Sequence, residues 1–374
     1  MLFSLITAIS LFFSLAYFLL MMRYSLDWNR LEEFHSTRNS YKVKVSVIVI
    51  ARNEAANIAA CLKSIAAQTY PKELVEILLA DDQSGDSTVE IASNLGIEQL
   101  KILTNKSLTG KKQLLSYAIS VSEAELIICT DADCQVPQGW INQLIGLYVE
   151  HDAKFIAAPV QFSYNKTLFQ KFQALDFLGM MAITGAGIKG AYLYMCNGAN
   201  LAYPKAVFQE VRGFEGIDKK ASGDDMLLMQ KIALKYPNQI YFLKNREAVV
   251  ITKPANSLRE FWQQRLRWSS KTGDYPQKLA TVQLALVWLF MFSLALTFIF
   301  AFFEPYLFLI LFISFLIKII ADFVLLNSAS AYFNKKNLLR IFLAAVFLHC
   351  AYVLTIGFMA IFKRKYNWKG RKMS

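Results

Sequence analysis

The chain has 374 residues, 55% hydrophobic and 18% charged, with 29 Phe, 17 Tyr and a formal charge of +12. An average soluble domain is roughly 45–50% apolar and about 25% charged, so disorder and a purely solvent-borne globule are both excluded as descriptions of the whole. The length suits one domain of about 200–250 residues with an appendage.

In chain order, the apolar excess begins at once. Residues 2–22 (LFSLITAISLFFSLAYFLLMM) carry no charge, and about 20 such residues cross roughly 30 Å of hydrocarbon as a helix. No basic stretch precedes the run and it outlasts the usual signal-peptide core, so an uncleaved anchor is expected over 1–22. Arg23 and Arg30 follow it. The bias of Lys and Arg toward the cytoplasm then places the N-terminus outside and residues 23–280 inside the cell.

A globular section is expected over 43–252. VKVSVIVI (43–50) reads as a buried strand, and residues 53–67 have helical spacing with Ile58, Cys61, Leu62 and Ile65 on one side. Next come a strand over 75–80, the acidic turn DDQSGDST (81–88), a helix near 88–95, a strand over 101–103, a helix over 110–120 and a strand over 124–130. Nearly continuous apolar strands alternating with helices predict an α/β fold whose mainly parallel sheet is flanked by helices. Such sheets bind ligands beyond the carboxyl ends of their strands. Asp81 and Asp82 fall at one such end, Asp131 and Asp133 at another.

ARNEAAN follows the first strand where a dinucleotide fold needs G-x-G-x-x-G, and no P-loop lysine motif appears. A bound diphosphate therefore needs another source of positive charge. In Asp131-Ala132-Asp133 both carboxylates can aim at one hard cation; Mg²⁺ keeps few protein carboxylates and completes its shell with water and phosphate oxygens. Asp pairs also cap helices and form turns, and that competing reading applies to Asp81-Asp82 and to Asp224-Asp225, which opens an apolar-periodic helix. In an acid-rich cleft the latter pair can instead supply a carboxylate base.

Residues 176–195 are apolar but hold Gly179, Gly185, Gly187, Lys189 and Gly190, which assigns them to the globular section. An amphipathic segment over 253–278 reads as an interfacial helix, with Phe261, Leu266 and Trp268 as anchors among Arg259, Arg265, Arg267 and Lys271. Runs over 281–303, 306–325 and 338–361 predict about three more membrane helices within 279–361; the middle one, holding Lys318 and Asp322, is the weakest. A basic tail occupies 362–374. Much of the positive charge thus lies where anionic headgroups would attract it, and no nucleic-acid motif accompanies it. Five cysteines without metal-site spacing suit a reducing compartment.

The ordered set VSVIVIARNE, LLADDQSGD, GKKQLL, CTDADC, CNGAN, GDD and QQRLRW, spread over residues 44–270, resembles the membrane-integrated branch of the family 2 inverting glycosyltransferases. Cellulose and hyaluronan synthases and ceramide glucosyltransferases belong to that group. The resemblance implies a GT-A fold and a UDP-sugar donor. It implies that Asp82, and with it Asp81, holds the uracil end, that Lys111 approaches the nucleotide, and that Asp131 and Asp133 hold the diphosphate with Mg²⁺ or Mn²⁺. Asp225 would be the general base. Gln264, Arg267 and Trp268 of Q-x-x-R-W would line the acceptor side and clamp the leaving diphosphate. Gly198 would pack close to the acceptor, and Asp224 stands where the family often has Glu. His35, His151 and His349 lie outside this constellation.

Four spans look too few for a roomy polymer channel, so the acceptor is expected to be a membrane-embedded lipid or lipid-like molecule. A processive polysaccharide synthase, completed by homo-oligomerisation, is the alternative. A non-catalytic membrane scaffold and a metal-dependent phosphatase or nucleotidyltransferase are readings of other classes. The expected location is the inner (plasma) membrane, with the catalytic domain cytoplasmic and no nucleic-acid partner.

Overall fold

The computed structural model describes residues 1–36, 41–165, 167–217, 223–269, 277–362, 366–368 and 371–373. The strands are β1 (Val45–Ala51), β2 (Val75–Asp81), β3 (Leu100–Thr104), β4 (Leu126–Asp131), β5 (Phe155–Ala157), β6 (Val160–Phe162), β7 (Leu201–Pro204), β8 (Ile240–Phe242), β9 (Val250–Thr252), β10 (Tyr366–Trp368) and β11 (Arg371–Met373). The helices are α1 (Leu2–Arg30), α2 (Ile58–Ala66), α3 (Thr88–Ser93), α4 (Lys111–Val121), α5 (Trp140–His151), α6 (Leu168–Lys189), α7 (Lys205–Glu210), α8 (Asp224–Lys235), α9 (Leu258–Ser269), α10 (Lys278–Phe300), α11 (Tyr306–Tyr332) and α12 (Phe342–Phe362). The chain divides into two compact units: Met1–Leu31 with Tyr164–Leu193 and Pro254–Tyr366, and Glu32–Ser163 with Tyr194–Lys253 and Asn367–Ser374.

The second unit is α/β. Its seven-stranded sheet has the order β3-β2-β1-β4-β7-β5-β8. β3, β2, β1 and β4 run parallel, while β7 is antiparallel to both β4 and β5. Parallel strands covered on both faces are largely apolar at successive positions; in β1, Val45, Val47, Ile48 and Val49 are buried, and the buried hydroxyl of Ser46 between them is satisfied by Glu76 and Ser122. The register sets Ala51 beside Asp81 and Ile50 beside Asp131, so the carboxyl ends of β2, β1 and β4 finish level. Short β6 pairs in parallel with β9.

The first unit is helical. Among the described residues, four of its helices are long and apolar enough to cross a membrane: Leu2–Arg30, Lys278–Phe300, Tyr306–Tyr332 and Lys336–Met359, the last opening with a 3₁₀ segment. Phe12, Leu15, Leu19, Phe302, Phe312 and Phe347 expose more than half of their surface. A monomer in water does not keep such a collection uncovered.

α1 runs beyond the apolar stretch because its last turns also pack. Tyr24 and Trp28 are buried, Ser25 returns its hydroxyl to the Met21 carbonyl, and Arg23 stacks 4.0 Å from the Tyr192 ring centroid. The run that looked weakest, in α11, stays helical because its charges find one another. The Lys318 ammonium lies 2.6 Å from Asp322 Oδ2, one turn on, and donates to Tyr17 of α1; Tyr17 donates in turn to Asp322 Oδ1 at 2.5 Å. His349 of α12 sits beside this group, its Nδ1 at 3.3 Å from Lys318 Nζ and its Nε2 at 3.9 Å from Asp176.

Two expectations need correcting here. The glycine-rich stretch at 176–195 was assigned to the globular section, yet α6 packs against α1 and α11 in the helical unit. Its glycines allow close approach: a Cβ on Gly179 would stand 3.0 Å from Leu326 Cδ2 of α11, and one on Gly187 2.6 Å from the carbonyl oxygen of Leu193, where the chain folds back after α6. Arg265, expected among the basic residues of an interfacial helix, is 4% exposed and ion-paired to Asp176 at 2.7 Å. Lys271 and most of the basic tail lie outside the described residues.

Candidate active site at the carboxyl ends of the sheet

Three sequence-distant segments of the α/β unit bring their charges to one place. Lys111, the first residue of α4, reaches Asp131 Oδ1 at 2.9 Å and Asp224 Oδ2 at 3.5 Å. Asp131 ends β4, and Asp224 opens α8 beside Asp225. Burial works against the charge of Lys111, but Asp131, Asp224 and Asp225 together outweigh it and hold the ammonium's pKa well above the usual lysine value.

Asp225 is fixed by backbone donors. The Gly198 N–H lies 2.9 Å from Oδ2, and its own helix supplies the Met226 N–H at 2.8 Å from Oδ1. Gly198 belongs to the CNGAN segment, whose Asn200 is fully buried and accepts from the Trp140 indole while donating to the Pro159 and Ala248 carbonyls. That knot holds the turn in place. A Cβ on Gly198 would stand 3.0 Å from Lys111 Nζ and 3.4 Å from Asp225 Oδ2. The glycine thus makes room first for the chain's own lysine and carboxylate.

A small cavity opens among these groups. Its polar lining includes Lys111, Thr130, Asp224 and Asp225, and its apolar floor includes Ile48, Ile50, Leu115 and Leu228. Thr130 was not singled out from the sequence, yet its Oγ1 is buried without a hydrogen-bond partner among the described residues. Its position directly before the DAD triplet is the only sequence signal it carries. Cys129 also lines the cavity. Burial pushes that thiol up to about 12, so it offers no thiolate nucleophile near neutrality.

The other acidic pair sits at the end of β2. Asp81 and Asp131 are separated by β1, two strand spacings of about 4.8 Å each. Asp82 has no exposed surface, and its Oδ1 accepts the Gly110 N–H, the residue before α4. Gly110 has φ +85°, a conformation that favours glycine. Asp82 thereby anchors the start of α4. Asp81 accepts the Ser84 N–H through Oδ2, whereas its Oδ1 is buried with no hydrogen-bond partner among the described residues. The loops around this end are stitched together. Ser84 Oγ receives the Asn53 N–H, Asn53 Oδ1 receives the Gly85 N–H, and Arg52 donates to the Asp82 and Gln83 carbonyls. Arg52 was also not foreseen.

Asp133 lies in the turn after β4, half-buried, with the Cys134 thiol 3.7 Å from its Oδ1. Among the described residues no three His, Cys, Asp or Glu side chains gather as metal ligands, so the expected metal site is not present as a protein-made cage. The donor chemistry still fits a hard divalent ion. Asp131 and Asp133 supply carboxylate oxygens, phosphate and water suffice for the rest, and Asp131 already holds a cation, the Lys111 ammonium.

Gln264, Arg267 and Trp268 lie on α9 of the helical unit. There the Gln264 Oε1 is buried without a hydrogen-bond partner among the described residues. Trp268 packs 6.0 Å from Phe177, and the Arg265 guanidinium lies 4.7 Å over the indole.

Residues 46–212 match the family model for glycosyl transferase family 2. Among curated proteins, the chain is similar to the glycosyltransferase AglE of Haloferax volcanii, 32% identical over 122 residues, 32% of this chain and 40% of that protein. A probable glycosyltransferase, YdaM, of Bacillus subtilis is 25% identical over 235 residues, 60% of this chain and 54% of that protein. A beta-monoglucosyldiacylglycerol synthase of Nostoc is 32% identical over 108 residues, 28% of this chain and 23% of that protein. The matches thus span 23% to 54% of those relatives' lengths. Among solved structures, the mannosyltransferase PcManGT from Pyrobaculum calidifontis, in complex with GDP-Man and Mn²⁺, is similar with a TM-score of 0.63. At 18% identity over 93% of this chain and 99% of that one, the likeness is one of fold.

Proposed function

We propose that this chain, whose residues 46–212 match the glycosyl transferase family 2 model, is an inverting glycosyltransferase of the inner membrane. Its catalytic domain faces the cytoplasm, and it moves a sugar from a UDP-sugar to a lipid or lipid-like acceptor held in the bilayer. The observation that carries the reading is the meeting of Asp131, Asp224 and Asp225 around Lys111, with Gly198 left bare to admit them. Four membrane-length helices among the described residues and the likeness to a beta-monoglucosyldiacylglycerol synthase support the choice of acceptor.

In this reading Asp81 receives the uracil N–H through its unpartnered Oδ1, and Asp82 holds the loop beneath. Asp131 and Asp133 hold Mg²⁺ or Mn²⁺, which when bound offsets charge on the departing diphosphate. Asp225 takes the proton from the acceptor hydroxyl. That oxygen bonds to the anomeric carbon as the bond to the diphosphate breaks on the opposite face, and the electron pair leaves with UDP. A single displacement inverts the centre, so an α-linked donor gives a β-linked product. Lys111 offsets negative charge at the diphosphate. Gln264, Arg267 and Trp268 serve the acceptor and the leaving group, the guanidinium fork suiting phosphate and the indole a sugar or lipid face.

The test is incubation of the purified full chain in nanodiscs with UDP-glucose, UDP-galactose, UDP-GlcNAc and GDP-mannose plus a total lipid extract. Mass spectrometry should show one lipid class gaining a single sugar from a UDP donor. A long ladder of additions would make it a polymer synthase, and no transfer from any donor would end the glycosyltransferase reading.

A further inference from the structure

We propose that Lys111 is a resident counter-cation that a divalent metal must displace from Asp131, so that metal occupancy of the Asp131–Asp133 pair waits for the donor diphosphate. The inference rests on the glycosyltransferase reading and deepens it from binding of a metal to the order in which the metal arrives.

The ammonium sits where a metal would need a lone pair, 2.9 Å from Asp131 Oδ1. It is built in rather than draped over the surface. Its residue begins α4, the preceding Gly110 is tied down by the fully buried Asp82, and the lysine side chain is three-quarters covered. The space it fills is kept open by Gly198, where any Cβ would press on Nζ at 3.0 Å.

A second anion is already in place. Asp224 Oδ2 lies 3.5 Å from the same nitrogen, so the ammonium can leave Asp131 without losing every partner. Without nucleotide, a metal would have to evict Lys111 while gaining only the two carboxylates of Asp131 and Asp133 from the protein. With nucleotide, the diphosphate brings oxygens that the metal can ligate and negative charge to which the displaced ammonium can turn. Two cations then share enough anions. A unit charge within about 4 Å of a divalent ion shifts its affinity by on the order of tenfold or more even in a wet site.

The experiment is Mn²⁺ binding followed by electron paramagnetic resonance on the full chain in detergent, first without nucleotide and then with UDP. Lys111→Met should bind Mn²⁺ without nucleotide on the order of tenfold or more tightly than the unaltered chain. UDP should raise affinity strongly in the unaltered chain and much less in the variant. Lys111→Gln keeps a polar side chain of similar reach and gives the same comparison should the methionine variant not accumulate folded. Asp131→Asn should remove the tight site in both backgrounds. Equal nucleotide-free affinity in the unaltered chain and the Lys111 variants would overturn the displacement role while leaving the transferase reading standing. Absence of Mn²⁺ binding in every form, with UDP present, would overturn the metal reading and this inference together.

Discussion

At the scale of single residues, neighbouring carboxylates in one motif do different work, and the surroundings decide which. Asp82 has no exposed surface and satisfies the Gly110 N–H, while Asp81, one residue earlier, keeps a buried oxygen without a partner among the described residues. Asp82→Ala should therefore lower stability by about 1–3 kcal/mol, the usual cost of leaving a buried donor unsatisfied, seen as a lower midpoint in thermal unfolding. Asp81→Asn should leave that midpoint close to the original and weaken UDP binding in calorimetry. A reversed outcome would exchange their roles. Asp225 can be tested in the same way. Asn at 225 is nearly isosteric but cannot take up a proton, so transfer should fall by about 10²–10⁴-fold, the usual contribution of general base catalysis, while UDP binding changes little. Transfer at the original rate would remove Asp225 as the base.

Among the elements, β1, β2 and β4 were legible because a strand buried on both faces is nearly continuously apolar, and the ends of β2 and β4 carried the acids. β5, β7 and β8 were not. Each has only three or four residues, and LAYP of β7 follows a polar turn so closely that no periodicity can develop. α6 was misassigned because glycine signals both loops and close helix packing, and only the partner helix distinguishes them. Arg265 was misread for a related reason, since its counter-ion is far away in the chain. Asp176 of α6 meets Arg265 of α9 at 2.7 Å, both almost completely covered, and Tyr352 of α12 donates to the other Asp176 oxygen at 2.9 Å. The guanidinium is also enclosed by the rings of Phe261, Trp268 and Tyr352. This pair fixes the helix that bears Gln264, Arg267 and Trp268 within its own unit. Asp176→Asn leaves a buried guanidinium uncompensated and should cost about 3–5 kcal/mol, read as a large fall in the unfolding midpoint in detergent. The double variant Asp176→Met with Arg265→Met should lose less than either single change, because apolar groups of similar volume can replace a buried pair. Additive losses in the double variant would show that the pair is not coupled.

For the whole molecule, two features of the sequence could each hold the chain at a membrane, and they fail under different conditions. The net charge of +12 would draw it to anionic lipid from outside, an attraction that fades once salt shortens the Debye length to about 3 Å near 1 M. Four helices of 23 to 29 residues, each long enough to span, would hold it through apolar transfer, which salt does not weaken. The buried group of Lys318, Asp322 and Tyr17 favours the second explanation, since ionisable groups inside spanning helices face their partners, not lipid. The chain should accordingly stay in the membrane pellet through washes with 1 M salt and with alkaline carbonate, and leave it only with detergent. Recovery in the salt wash would mean surface adherence and would remove the spanning helices from the account. If Arg23 and Arg30 also set the orientation as proposed, trypsin should cut within the α/β unit in inverted inner-membrane vesicles and spare it in right-side-out ones. The opposite pattern would put Lys111, Asp131 and Asp225 on the side of the membrane that lacks nucleotide sugars, and an intracellular UDP-sugar could not be the donor.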